Sequence, residues 1–257
     1  MIKIICRENK KLKALTFIII TLVSGAIAGT ILGLINQVIV EPYIDKAIDI
    51  EVQNAKKEGE AVDANEHVIY RAWQKSGEII AGTILGISLA ALFGIVFGYS
   101  RSSLLLLPRS DNNKKKALVL AGMMWFVLFL VPALKYPANP PAVGDPETIY
   151  YRQSLYIVLL IISGFSALAL AFLYTKIGDK SSSKRIGFPL IYAAIIIGAF
   201  IILPSNPDKI SAPMDLVLAF RIASAFTMSV FWGILALIFG SFWDRLKPHK
   251  TTRITTV

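Results

Sequence analysis

The sequence predicts an all-α fold: a polytopic membrane bundle of six transmembrane helices with both termini cytoplasmic. Three observations carry that reading. Of 257 residues, 55% are hydrophobic and 17% charged, with a mean hydropathy of +0.61, which is more apolar surface than one water-soluble core can hide. The apolar residues fall into six runs, most of them near the ~20 residues that a helix rising 1.5 Å per residue needs to cross ~30 Å of hydrocarbon. Lysine and arginine alternate strictly between the connecting segments. Eighteen fall before helix 1, at 101–116, at 176–185 and after Trp243, against eight in the intervening segments, with Arg221 inside helix 6. By the positive-inside rule the rich segments are cytoplasmic. The net charge of +10 therefore reports orientation and attraction to anionic lipid headgroups, not nucleic-acid binding.

Helix 1 is expected at about 14–40. Its basic prelude (Lys3, Arg7, Lys10, Lys11, Lys13) resembles a signal peptide, but the apolar run far exceeds a secretory core of about 7–15 residues, so it is kept as a span. The single Cys6 precedes the run and has no partner in the chain for a disulfide. Gly25, Gly29 and Gly33 recur at spacing four. Helix 2, about 79–99, repeats the hexapeptide AGTILG and places Gly82, Gly86, Gly94 and Gly98 in one stripe with Ala90. Such stripes let two backbones approach closely, so the expected use is packing of helix 1 on helix 2. Between them the outer loop 41–78 is rich in acids and lysines and reads as a solvated helix or partly disordered stretch continuing helix 1 outward.

Helix 3 is expected at about 117–134, helix 4 at 155–174, helix 5 (the shortest) at 187–203 and helix 6 at 216–243. Helices 3 and 4 are joined by the outer ledge 132–152, PALKYPANPPAVGDPETIYYR. Pro137, Pro140, Pro141 and Pro146 fix φ and donate no backbone hydrogen bond, which makes the connection stiff. Gly144 permits a turn, and Asp145 followed by Pro146 reads as a cap and first helical residue. Lys135, Asn139, Asp145, Glu147 and Arg152 share this ledge. Arg221 lies within apolar sequence and needs a partner at depth; the expected partner is Asp145 or Glu147, pinning the ledge over the bundle. The whole of 1–257 is read as a single membrane domain.

Candidate ligands for a divalent cation on the outer face are Glu66, His67, Glu78, Asp145 and Glu147, since imidazole and carboxylate suit such ions. No pair has a diagnostic ligand spacing. The chain carries no GxxxxGK[ST] phosphate cradle. Inward movement of a divalent cation through 100 mV yields about 4.6 kcal/mol, so uptake needs no nucleotide. No catalytic constellation is present either, and the expectation is a non-enzyme with no tightly bound cofactor.

PALKYPANPPAVGDPETI and FRIASAFTMSVFW (Phe220 to Trp232), with Glu66, His67, Trp73, Gly77 and Glu78 in the outer loop, resemble the signature of the CbtA-type probable cobalt transporter subunits. The resemblance implies cobalt as transported substrate and a small histidine-bearing partner, a CbtB-like membrane subunit, beside the lipid bilayer. Other family members often carry several histidines in the first outer loop and are often drawn with five spans; here His67 stands there alone and six runs are counted. Two other readings stay open: a non-transporting scaffold or accessory subunit, and a transporter of another small solute such as a corrinoid precursor.

Overall fold

The computed structural model describes residues 11–59, 64–100, 112–141, 143–177 and 182–250. The basic stretches before Lys11, at 101–111, at 178–181 and after Lys250, with Cys6 and Ala142, lie outside the described residues. The described chain is helical almost throughout: α1 Ala14–Ile39, α2 Glu41–Lys57, α3 Ala64–Ser100, α4 Asn113–Trp125, a π-helical turn Phe126–Leu130, α5 Val131–Lys135, α6 Ile149–Ile177, α7 Ser182–Ile202 and α8 Met214–Leu246. Five stretches are long and apolar enough to cross a membrane, and Gly187–Ile202 is a shorter apolar helix. Two residues at each end, Lys11–Leu12 (β1) and His249–Lys250 (β2), pair antiparallel.

The segment between the first two spans is helical, which shifts an expected boundary. Glu41–Lys57 forms α2, and the second span begins at Ala64, not near Ile79. The chain passes directly from α1 into α2 at Val40, with Pro42 in the first turn of the new helix where its missing N–H costs nothing. Nothing between Ala64 and Ile79 breaks a helix, since the polar residues there are mostly good helix formers. At 37 residues, α3 is about 55 Å long, well beyond what the hydrocarbon layer requires.

α1 and α3 meet backbone to backbone. A Cβ built on Gly25 would stand 2.6 Å from the Gly86 carbonyl oxygen; one on Gly29 would collide with the Gly82 carbonyl and stand 2.9 Å from Gly86 Cα; one on Gly33 would lie 2.7 Å from Ile79 Cα. Gly82 and Gly86 answer from the other side, and Gly94 sits against Thr21. Gly98 meets Phe17 at an ordinary 3.8 Å, so close approach fades at that end. With α4 and α8 this pair encloses the main core, where Phe93, Phe97, Phe239 and Trp243 are buried. Phe97 stands edge-on to Phe239 and Trp243 at centroid distances of 5.2 and 5.0 Å, geometry favoured by the ring quadrupoles.

α6 and α7 form a hairpin that joins this core mainly through the π turn and α5. The π turn leaves one carbonyl without a backbone donor. Val131 N–H bonds to Phe126 five residues back, and in that register the Val127 carbonyl would call on Pro132, which has no N–H. The Ser163 hydroxyl of α6 donates to that carbonyl at 2.6 Å and lies 2.7 Å from Tyr192 Oη of α7.

Gly29→Ala is expected to destabilise by about 1–3 kcal/mol or more, because the atoms it meets are backbone and the helices must part. Gly98→Ala should stay within about 0.5 kcal/mol. Thermal unfolding of the purified chain in one detergent compares the two.

Candidate functional site

The expected stiff ledge narrows to residues 136–145: Pro132–Lys135 complete α5, and Pro146–Thr148 open α6 as a 3₁₀ turn. Asp145 caps that turn, its Oδ1 accepting from Glu147 N at 2.9 Å, with Pro146 at the first position. Pro140 is fully buried. Val143 packs with Ala47 of α2 and Val217 of α8, so α2 roofs the ledge.

Beneath the ledge sits Asp208, whose side chain is 0% exposed. It gathers donors from two segments, the ledge and the start of α6: Asn139 Nδ2 at 2.7 Å, the Asp145 backbone N at 2.9 Å and Arg152 Nη1 at 2.5 Å. Arg152 Nη2 also reaches the Asp145 carbonyl at 3.1 Å. Gly144 has φ +108°, and a Cβ there would fall on the Asp208 carboxylate, so the position excludes any side chain. Lys135 donates to the Phe200 carbonyl at 2.8 Å and Tyr136 to that of Pro204 at 2.6 Å. Burial pushes the Tyr136 phenol above its ordinary value.

Arg221 does not pair with Asp145 or Glu147. It donates to the Ala138 carbonyl at 3.1 Å and to Asn139 Oδ1 at 2.6 Å. The ledge turns its backbone and amide toward α8, while the Asp145 carboxylate is spent on its own cap and Glu147 is exposed. The ion pair is instead Arg152–Asp208. Asp208 was absent from the sequence-based candidates. Its signal was faint: an acid in the short, proline-bearing segment LPSNPDKISAP between the last two apolar runs.

A second polar cluster joins α2 to the N-terminal part of α3. Arg71 Nη2 binds Glu41 Oε2 at 2.6 Å and Asp45 Oδ1 at 2.7 Å, and Lys75 Nζ binds Asp45 Oδ2 at 2.8 Å. Burial would raise Asp45, but hydrogen bonds and charge from Lys75 and Arg71 outweigh it and hold the carboxyl below its ordinary 3.8. Glu78 stands one turn from Lys75 and close to Asn36 of α1. Glu78 Oε2 and Asn36 Oδ1 are buried acceptors with no hydrogen-bond partner among the described residues. Such atoms are rare and call for a water, a proton or an ion.

The five candidate ligands do not converge on one centre. Glu78 belongs to the α1–α3 cluster, and Asp145 and Glu147 to the ledge. Glu66 and His67 lie in the first turn of α3, with side chains outside the described ones. Among the described residues no three of His, Cys, Asp and Glu form a metal-holding group. Proximity in sequence does not supply convergence: Glu66 and His67 stand about three helical turns from Glu78 on the same rod.

Arg152→Ala should cost about 3–5 kcal/mol, because it strands the buried Asp208 charge. Asp208→Asn combined with Arg152→Gln should recover part of that loss, read from thermal unfolding and from protease cleavage within 136–145. Asp45 gives a pH signature of known sign. Since its carboxyl titrates lower when folded, its contribution is complete above the unfolded value and is lost as pH falls through the lowered one. Protease cleavage between α2 and α3 should accordingly rise below about pH 4 in wild type and be pH-insensitive there in Asp45→Asn.

The family described as "Probable cobalt transporter subunit (CbtA)" matches residues 14–244. No curated protein and no solved structure matches. The match runs from the first residue of α1 to within the last turn of α8, taking in the glycine seam, both polar clusters and the ledge, and the chain belongs to the CbtA family of probable cobalt transporter subunits.

Proposed function

We propose that this chain is the membrane subunit of a divalent-metal uptake system, with cobalt as substrate, driven by the membrane potential or by a partner. The observation that carries the reading is the pair of uncommitted buried acceptors, Glu78 Oε2 and Asn36 Oδ1, at the outer part of the α1–α3 seam. A carboxylate and an amide oxygen are the donors a hard or borderline divalent cation accepts when it sheds water. In this reading Glu78 and Asn36 form a transfer point, and the ledge with Asp145 and Glu147 forms the outer entrance. Two ligands do not complete a coordination shell, so the rest comes from water, from Glu66 and His67, or from a histidine-bearing CbtB-like subunit.

The same proposal has six crossings with both termini cytoplasmic, in a single membrane domain. The β1–β2 pairing supports it, together with the 2.7 Å bond from Lys13 N to the Pro248 carbonyl. Chain ends that meet on one side require an even number of crossings. Five long spans are odd, and α7, whose apolar part Gly187–Ile202 is about 24 Å long, supplies a shorter sixth.

A scaffold reading has its own support. Asn139, Arg152, Asp208 and the Asp145 cap are all committed to holding the ledge together, as a docking platform also requires. Cobalt uptake by cells expressing the chain, with nickel and zinc as competitors, separates the two. Transport through the seam predicts at least a tenfold loss in Glu78→Gln with normal membrane insertion, and a further dependence on Glu147. Uptake indifferent to Glu78→Gln and to the Asp145→Ala, Glu147→Ala pair sinks the transport route and leaves the platform. For topology, an impermeant maleimide should reach Cys6 only after the membrane is opened, whereas Ser211→Cys in a Cys6→Ser background should label in intact cells.

A further inference from the structure

The α6–α7 hairpin stands away from the core along half its length. Near the ledge it is tied down through the π turn and by Ser163 and Tyr192. Toward the opposite end the two bodies diverge and leave a cavity of about 570 Å³. Its walls include Val96 of α3, Val119 and Met123 of α4, Ala167 and Ala171 of α6 and Phe188 of α7. Gly122 and Gly164 lie on the facing walls, where missing side chains widen it.

We infer that this cavity holds one acyl chain of an anionic phospholipid, with its headgroup at the basic end of α4. The lining is almost wholly apolar, and the hydroxyls of Ser163 and Tyr192 already bond to each other, so apart from the Tyr174 hydroxyl the walls offer water few partners. Apolar cavities of this kind stay dry and take apolar guests.

The headgroup's sign comes from α4. Lys115 and Lys116 precede Val119 and Leu120 by four residues each, which puts them on the same stripe one turn beyond the cavity. Each lysine near a bilayer surface favours an anionic headgroup on the order of fivefold.

The test uses the full chain extracted from membranes in mild detergent, exchanged with vesicles of mixed phosphatidylglycerol and phosphatidylcholine, and weighed intact by mass spectrometry. One retained phospholipid is expected, phosphatidylglycerol favoured at least fivefold. Ala167→Phe, which fills the cavity, should abolish retention. Leu190→Phe, on an outward position 63% exposed, should not. Lys115→Gln with Lys116→Gln should keep the lipid and lose the charge preference. Equal retention by wild type and Ala167→Phe overturns the site, as does a wild type blind to headgroup charge. A second polypeptide displaced by Ala167→Phe, with no lipid retained, overturns it in favour of a protein partner. Should Ala167→Phe fail to fold, phosphatidylglycerol with a diazirine on its acyl chain is applied to the unmodified protein. Adducts confined to 119–128 and 164–174 support the site, and adducts spread equally to Leu190 and Ile201 refute it.

Discussion

A carboxylate without exposed surface holds the ledge end of this protein together. Asp208 takes hydrogen bonds from the ledge, from the backbone just after Gly144 and from Arg152 at the start of α6. Through Asn139 it is linked to Arg221 on α8. Burying a charge is unfavourable unless it is paired and its lone pairs are used, and here both conditions are met from one residue. Most of the local sequence follows from it: a glycine where a side chain would strike the carboxylate, an amide that can accept from one arginine while donating to the acid, and prolines that keep the strand from relaxing away.

Beneath that lid the bundle divides into two parts of different character. The α1–α3 seam, packed backbone to backbone, and the aromatic cluster shared with α8 form a dense body with little room to move. The α6–α7 hairpin is held at one end by hydrogen bonds that exist because Pro132 leaves a carbonyl unserved. In hydrocarbon, where such a carbonyl finds no water, a hydroxyl from a neighbouring helix is a strong tether. The same hairpin stands free at its other end and leaves an apolar-lined cavity there.

The polar residues at this end of the bundle divide in a similar way between structural and uncommitted groups. Arg71, Glu41, Asp45 and Lys75 satisfy one another and fasten α2 down. Glu78 and Asn36 retain acceptors that nothing in the described chain uses. A subunit that passes an ion onward needs such incomplete coordination, since a closed shell would hold the ion too tightly to release it.

The helical membrane class, the family and the packing use of the glycine stripe were legible in the sequence because each rests on local, periodic facts: apolar run length, a proline-rich signature, glycines at spacing four. The cap at Asp145 was legible for the same reason, being made by neighbours in the chain. The partner of Arg221 was not. Asp145 and Glu147 looked suitable by charge, but the choice depended on which way the ledge turned, and that was decided by Asp208 from another loop. The extent of α3 and the π turn likewise required the folded context, because no breaker marks Ile79 and the unserved Val127 carbonyl is answered by Ser163, 36 residues away. Composition and period determined that this chain forms membrane helices; three-dimensional convergence of residues distant in sequence decided which polar groups are locked into structure and which remain uncommitted.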